Sequence, residues 1–365
     1  MTSQSVQQSP GWSPEPARVD MADTSARLQA WLRDKRPDAP GLTIHDLTVP
    51  TLNGGTGDNV ILSYTPRPGA APEKVVVRLG PTGDSHIFEV SIVTHFRVLQ
   101  ALHTTAVPSP TPLWLESDPA VLGVPFMVMD YVPGRAPSDF PIYNSAGFLF
   151  DAPVEYRHRL WESALGALVA VHALDPEPFV FLDRPERGPD GLRQHLAYLH
   201  GAYETSPLFA PIAPLAAALE WLDRTAPATP RTGVSWGDPR IGNMLFACDT
   251  GVRALLDWDQ AGIAGPLADL GWWLMFDRLH DEDYGARRLE GLGSRTETLE
   301  TWERLTGYSS AGIDWYEILA AVRLVIVRLR GQKARERDGA WVPGPENARS
   351  WQRLMARVDT MIERF

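Results

Sequence analysis

The chain of 365 residues has a single cysteine, Cys248, so no intrachain disulfide can form. A reducing compartment is the simplest expectation, because disulfides accumulate where the surroundings are oxidising. Lysine is almost absent, with Lys35, Lys74 and Lys333 supplying three of the 34 basic side chains. An excess of positive charge is missing as well. The formal net charge of −11 argues against non-specific binding to nucleic acid or to an anionic membrane, since both require a positive surface. It is compatible with a cationic partner without pointing to one. No apolar run approaches the roughly 20 residues that cross a bilayer. The stretch MTSQSVQQSPGWSPEPARVD at residues 1–20 lacks the basic segment and apolar core of a secretory signal. Together these absences lead to the expectation of a cytoplasmic protein with neither a nucleic-acid nor a membrane partner.

What is present is ordinary for a globular protein: 44% hydrophobic and 22% charged residues. The length allows one large domain or two lobes with a substantial core. Residues 1–20, rich in Ser, Gln and Pro, read as a disordered tail. A helix is expected from Thr24 to Lys35, with Leu28, Trp31 and Leu32 on one face. β-like runs follow at Val60–Tyr64, Val75–Leu79 and Phe126–Tyr131. A helix from Phe88 to Leu102, with Val90, Val93, Phe96, Val98 and Leu99 as core candidates, interrupts them. After Gly134 helical periodicity dominates: Glu155–His172, Pro214–Leu222, Leu267–Arg278, Arg295–Leu305, Trp315–Leu329 and Ser350–Arg364. A hairpin at Met244–Leu256 is the exception. The pattern predicts an α+β chain, with a small mixed half followed by a larger helical one.

The most informative stretch is VSWGDPRIGNMLFACDTGVRALLDWDQAGIAGPLAD, from Val234 to Asp269. Asp238 and Asn243 are separated by four residues. Asp249-Thr250-Gly251 is a strong turn signal between two apolar runs. With that loop, Cys248 faces Val252, and counting back in register brings Asn243 opposite Asp257. Residues paired in this way lie ~5 Å apart at Cβ on one face. An amide oxygen and a carboxylate flanking one point suit Mg²⁺, a hard cation that shares its shell with phosphate and water. Asp238, in the loop before the hairpin, is placed to reach a substrate hydroxyl.

Asp-x4-Asn, a short hairpin and then Asp resemble the catalytic and metal-binding segments of protein kinase-like enzymes. LLDWDQAGIAGPLADLGWW, VLGVPFMVMDYVPGR and AVPSPTPLWLE more closely resemble the aminoglycoside-phosphotransferase family. The branch they match is the one related to domains attached to acyl-CoA dehydrogenases, and the resemblance runs from about residue 40 to about residue 330. It implies a bilobal kinase-like fold, with a nucleotide-binding lobe over residues 21–131 and a catalytic and acceptor-binding lobe over residues 132–365. It implies an ATP- or GTP-dependent transfer of the γ-phosphate to a hydroxyl of a small molecule, such as an aminoglycoside, another antibiotic or a hydroxylated metabolite. Asp238 would orient that hydroxyl and accept its proton, while Asn243 and Asp257 hold magnesium on the nucleotide. Asp269 would brace the catalytic loop, and Asp259 would assist magnesium or bind substrate. Trp236 stands where most kinase-like enzymes have His.

In the nucleotide half, the family pattern assigns the turn at Gly54, Gly55 and Gly57 to the phosphates, which backbone amides can approach closely there. It puts the phosphate-binding cation at Arg78, with Lys74 as runner-up. The partner of that cation falls at His95, or at Glu89 if the alignment slips. Met129, Asp130, Tyr131 and Val132 resemble the hinge, where adenine would meet the backbone of Asp130 and Val132, and Met127 and Met129 would line its pocket. For the acceptor, Arg240, the acids Asp277, Asp281, Glu282 and Asp283, the insertion Phe140–Phe150 and Trp272-Trp273 are candidates. The competing reading is a nucleotide-binding regulatory protein on the same fold, motivated by Trp236 and by the absence of the usual Lys and Glu.

Overall fold

A computed structural model describes residues 21–49, 59–81, 91–139, 141–204, 206, 212–282, 287–337 and 350–365. The expectations for residues 1–20, for Gly54, Gly55 and Gly57, and for Glu89 and Val90 fall outside these ranges.

The amino-terminal part contains α1 (Met21–Lys35), β1 (Thr43–Thr48), β2 (Asn59–Thr65), β3 (Glu73–Leu79), α2 (Ile92–Leu102), β4 (Pro112–Glu116) and β5 (Phe126–Asp130). The five strands form one antiparallel sheet in the order β1-β2-β3-β5-β4. Side chains alternate between its faces. Val60, Leu62, Val75, Val77, Phe126 and Val128 pack beneath Leu28, Trp31 and Leu32 of α1. Met127 and Met129 point the other way and join Phe96, Leu99 and Leu102 of α2. With a helix on each face, β5 is apolar at both parities, which is why FMVMD reads as a continuous run. Arg78 pairs with Met127 across the ladder, so it projects on the α2 side. Ser91 caps α2, its hydroxyl accepting from the Thr94 amide at 3.3 Å. Val93, expected in the core, is 40% exposed because it lies on the outer face of the helix.

The second part contains α3 (Phe148–Asp151), α4 (Val154–His172), α5 (Gly191–Glu204), α6 (Ala213–Thr225), the hairpin β6 (Met244–Phe246) and β7 (Val252–Leu255), α7 (Pro266–Glu282), α8 (Arg295–Thr306), α9 (Ile313–Arg337) and α10 (Ser350–Arg364). α7 and α9 cross at its centre. Gly271 permits this, since a Cβ there would lie 2.6 Å from the carbonyl carbon of Tyr316. The result is a small sheet lobe on a larger helical lobe. Four elements escape the sequence pattern: β1, β4, the single turn α3 and α5. β1 and β4 are short edge strands, and α5 begins among the Gly and Pro residues that read as a connection.

Candidate active site

The loop before β6 is held rigidly. Ser235 and Gly262 exchange backbone hydrogen bonds of 2.9 and 3.0 Å. The amides of Trp236 and Gly237 donate to the two carboxylate oxygens of Asp269, at 2.6 and 2.9 Å. Asp269 lies on the first turn of α7 and is buried, so its two hydrogen bonds tie this loop to that helix. From α9, Arg323 donates to the carbonyl of Gly237 at 2.5 Å. Gly237 has φ +91, and a Cβ there would sit 2.0 Å from the carbonyl oxygen of Gln260, so no other residue fits. Trp236 is fully buried. Its indole N–H donates to the carbonyl of Leu256 at 2.8 Å, and its ring packs against Trp258.

This frame presents Asp238. Its Oδ1 accepts from the Trp272 indole at 2.7 Å. Its Oδ2 accepts from Asn243 Nδ2 at 2.8 Å and from Arg240 Nε at 3.1 Å. Arg240 is held in turn by Asp139. Burial opposes ionisation of Asp238, but Arg240 and Arg323, with the hydrogen bonds from Arg240 and Trp272, hold its carboxyl below the usual range. Asn243 spends its amide nitrogen on Asp238, which leaves its amide oxygen as the atom that could ligate a metal.

The hairpin differs from the expected register. Met244 pairs with Leu255 and Leu245 with Ala254, but Phe246 pairs with Val252, so Arg253 is an extra residue in β7. The loop is also longer, closing through Ala247 and Gly251 with Thr250 at φ 76. Five residues separate Phe246 from Val252, which displaces the ladder by two from the expected register; the extra Arg253 restores one, and Asn243 meets Leu256, whose amide donates to the Asn243 carbonyl at 2.8 Å. Asp257 is therefore not the cross-strand partner of Asn243. A left-handed backbone at φ 57, ψ 63 turns it towards the site instead. A non-glycine residue in that conformation is strained, a cost characteristic of functional loops. Asp257 Oδ1 is buried, has no hydrogen-bond partner and lies 3.6 Å from Arg78. Burial and the charge of Asp259, with Asp238 adding to them, push the Asp257 carboxyl up to about 7 against the pull of Arg78. The donor set fits magnesium. Among the described residues no three His, Cys, Asp or Glu form a cage, and magnesium is bound by one or two protein oxygens completed by phosphate and water.

Arg78 is buried on β3 with its guanidinium against Asp259. His95 on α2 meets the same carboxylate, Nδ1 to Oδ1, at 2.6 Å. Asp259 is thus a buried bridge between sheet and helix, its carboxylate taken up by Arg78 and His95. Burial holds the His95 pKa below the ordinary imidazole value, with Asp259 opposing it. Lys74 is exposed at the start of β3, its ammonium over the Tyr131 ring at 5.3 Å. At the end of β5, Asp130 gives its N–H to the Thr111 carbonyl at 3.0 Å and accepts from the Thr111 amide at 2.5 Å. An adenine could therefore meet Asp130 through the carbonyl but not through the amide. Met127 and Met129 are core residues against α2.

Two cavities adjoin the catalytic loop. One of about 20 Å³, beside Arg240, Asp139, Tyr143, Trp273 and Asp277, has room for about one water. Asp277 is committed to Arg288 at 2.6 Å. The other cavity, about 290 Å³, lies between the loop, α5, α7 and α9 and is lined by Trp272, Arg323 and Gln260, among others. Phe140, Asp283 and the side chains of Asp281 and Glu282 lie outside the described residues. Sequence reasoning missed Arg323 and Asp139, for which no local pattern exists.

Residues 48–308, more than half of the chain, match the APH phosphotransferase enzyme family. The chain belongs to that family. Among curated relatives, mouse acyl-CoA dehydrogenase family member 10 is 28% identical over 205 residues, covering 55% of this chain and 18% of that protein. The phosphotransferase spans less than a third of such relatives. A Ralstonia eutropha structure assigned as an aminoglycoside phosphotransferase superposes with a TM-score of 0.67 at 22% identity, covering 93% of this chain and 97% of that one. Aminoglycoside phosphotransferase APH(4)-Ia, solved with AMP-PNP and hygromycin B, gives 0.55 at 15% identity over 92% and 98%. At these identities the likeness concerns the fold, which is the bilobal kinase-like one. The family is one of phosphotransferase enzymes, which transfer a phosphoryl group. No helix among the described residues is long and apolar enough to cross a membrane.

Proposed function

We propose that this phosphotransferase is a cytoplasmic kinase moving the γ-phosphoryl group of magnesium-bound ATP, or GTP, to a hydroxyl of a small molecule, with Asp238 as the catalytic residue. The observation that carries the reading is the joining of Asp238 and Asn243 by hydrogen bonds next to a buried Asp257 Oδ1 that accepts no hydrogen bond. Asn243, through its amide oxygen, and Asp257 would hold the magnesium. When bound, the ion supplies charge neutralisation on the phosphate oxygens.

The protein's own groups do the positioning. Asp238 is held ionised and aimed by Trp272, Asn243 and Arg240, so it orients the acceptor hydroxyl and takes its proton late. Such a weak base suffices because the transition state is largely dissociative. Arg240, paired with Asp238 and Asp139, keeps the Asp238 carboxylate in place. Arg78, fixed by Asp259, faces the α- and β-phosphates, and the hinge at Met129–Val132 receives the base. The departures that motivate a regulatory protein are compensated: Trp236 still ties the catalytic loop to the segment before Asp257, and Asp259 replaces the missing helix Glu.

Phosphate transfer from labelled Mg·ATP, with Mg·GTP in parallel, to a panel of hydroxyl acceptors tests this. Transfer is expected in the wild type, and neither in Asp238→Ala nor under EDTA. A wild type that binds no nucleotide by calorimetry would sink the proposal. Unchanged magnesium-dependent binding in Asp257→Ala would remove the metal role.

A further inference from the structure

His172 is a titratable group buried in the helical lobe, and the proposed reaction does not use it. It closes α4, and its side chain is sealed from solvent, with an exposure of 0%. Trp302 of α8, also fully buried, donates its indole N–H to His172 Nδ1 at 2.9 Å. The two rings meet edge to face, with centroids 6.0 Å apart. An indole N–H donates and never accepts. Nδ1 must therefore offer its lone pair, and the ring proton of the neutral imidazole resides on Nε2. His172 Nε2 is buried, makes no hydrogen bond and lies 3.4 Å from Asp269 Oδ2. That oxygen accepts from the Trp236 amide at 2.6 Å, while Oδ1 takes the Gly237 amide. A continuous set of contacts thus runs from α8 through α4 and α7 to the residue before Asp238.

We propose that Trp302 and His172 are positioning residues for the phosphoryl transfer: Trp302 fixes the His172 ring in its Nε2–H form, and the N–H dipole holds the Asp269 carboxylate against the catalytic loop. This rests on the kinase reading above, in which Asp238 is the catalytic residue. The sign of the dipole decides the effect. With the proton on Nε2, the positive end of an N–H faces the carboxylate. With the proton on Nδ1, a lone pair would face it and repel. A buried site does not screen that difference as water does. A Lys or Arg in this place would bring a full charge and compete with the Trp236 and Gly237 amides for the carboxylate oxygens. A neutral imidazole adds a third polar contact and leaves both amide hydrogen bonds standing. Because Asp269 holds two consecutive amides, a rotation of its carboxylate moves the peptide that carries Asp238. No covalent step runs through His172, and its proton stays on Nε2 throughout.

Calorimetry of the whole chain with Mg·AMP-PNP comes first. No binding would sink the kinase reading, and two measurements that need no turnover would still decide on His172. The first is long-range proton–nitrogen correlation NMR of the ¹⁵N-labelled protein. Of the nine histidines, His172 is assigned as the one whose signals vanish in His172→Gln. The wild type is expected to show a protonated Nε2 and a bare Nδ1, and Trp302→Phe a mixture of both tautomers. A protonated Nδ1 in the wild type would overturn the proposal, as would an unchanged tautomer in Trp302→Phe. The second is hydrogen exchange at the Trp236 and Gly237 amides. His172→Phe keeps a ring without its nitrogens, and these amides are expected to exchange about 10-fold faster or more relative to the amides of α9. Equal acceleration at both places would show a structural role alone and overturn the proposal. With the best acceptor of the panel above, kcat of His172→Phe is expected to fall about 10-fold, with the KM for ATP within about 2-fold of the wild type. His172→Gln, whose carboxamide can accept from Trp302 and donate towards Asp269 at once, is expected to recover part of that loss. In the His172→Phe background, Trp302→Phe should lower kcat no further, because it acts through the histidine. A wild-type kcat in a His172→Phe variant shown to be folded by its thermal melt, or an additive loss in the double variant, would overturn the assignment.

Discussion

The Trp236 indole lies 2.8 Å from the carbonyl of Leu256, so one side chain ties the catalytic loop to the residue preceding Asp257. Trp236→Phe keeps an aromatic ring but leaves that carbonyl without its donor. The expected cost is about 1–3 kcal/mol of stability. A fall in kcat should accompany it, because Asp257 loses its anchor. Urea unfolding and steady-state kinetics check both. A variant with wild-type kcat would show that the tie does not position the site.

Asp259 is the shared counter-ion of Arg78 and His95, so Asp259→Asn leaves a buried guanidinium poorly compensated. A loss of about 3–5 kcal/mol is expected on denaturant unfolding. Arg78→Ala should raise the KM for ATP more than Lys74→Ala, since Lys74 is exposed and turned to Tyr131. The reverse order would move the phosphate contact to Lys74.

Trp272 donates to Asp238 Oδ1 and lines the larger cavity. Trp272→Phe removes the donor but retains most of the ring volume. The expected result is a fall in kcat of about 10-fold, equivalent to roughly 1.4 kcal/mol of transition-state stabilisation. The KM for ATP should stay near the wild-type value. A raised KM for ATP with normal kcat would contradict this placement.

His195 titrates near 6.5 when unfolded and at about 3 in the folded protein. Between these values the unfolded chain binds more protons, so stability is lost as pH falls from 6.5 towards 3. His95, also shifted down by burial, acts in the same direction. From pH 7 to pH 5 the His195 contribution is expected to be up to about 2 kcal/mol. Urea midpoints of His195→Gln should fall less over this interval than those of the wild type. Parallel curves would show that His195 is not buried neutral.

The sequence by itself determined the division into a sheet half and a helical half, and singled out Asp238, Asn243, Asp257, Arg78 and Asp269 as candidates. Those features are local: alternation in β5, a turn signal at Asp249–Gly251, and one contiguous segment in which spacing and family resemblance coincide. It did not determine the hairpin register, because the longer loop between Phe246 and Val252 slides the ladder and the extra Arg253 only partly restores it, neither altering the apolar pattern. Only the tertiary structure decided that Asp259 joins Arg78 and His95 across 181 and 164 residues, and that Trp272 and Arg323 secure the catalytic loop. Periodicity states which face of an element is buried. It does not state what lies opposite, and buried charges take their roles from what lies opposite.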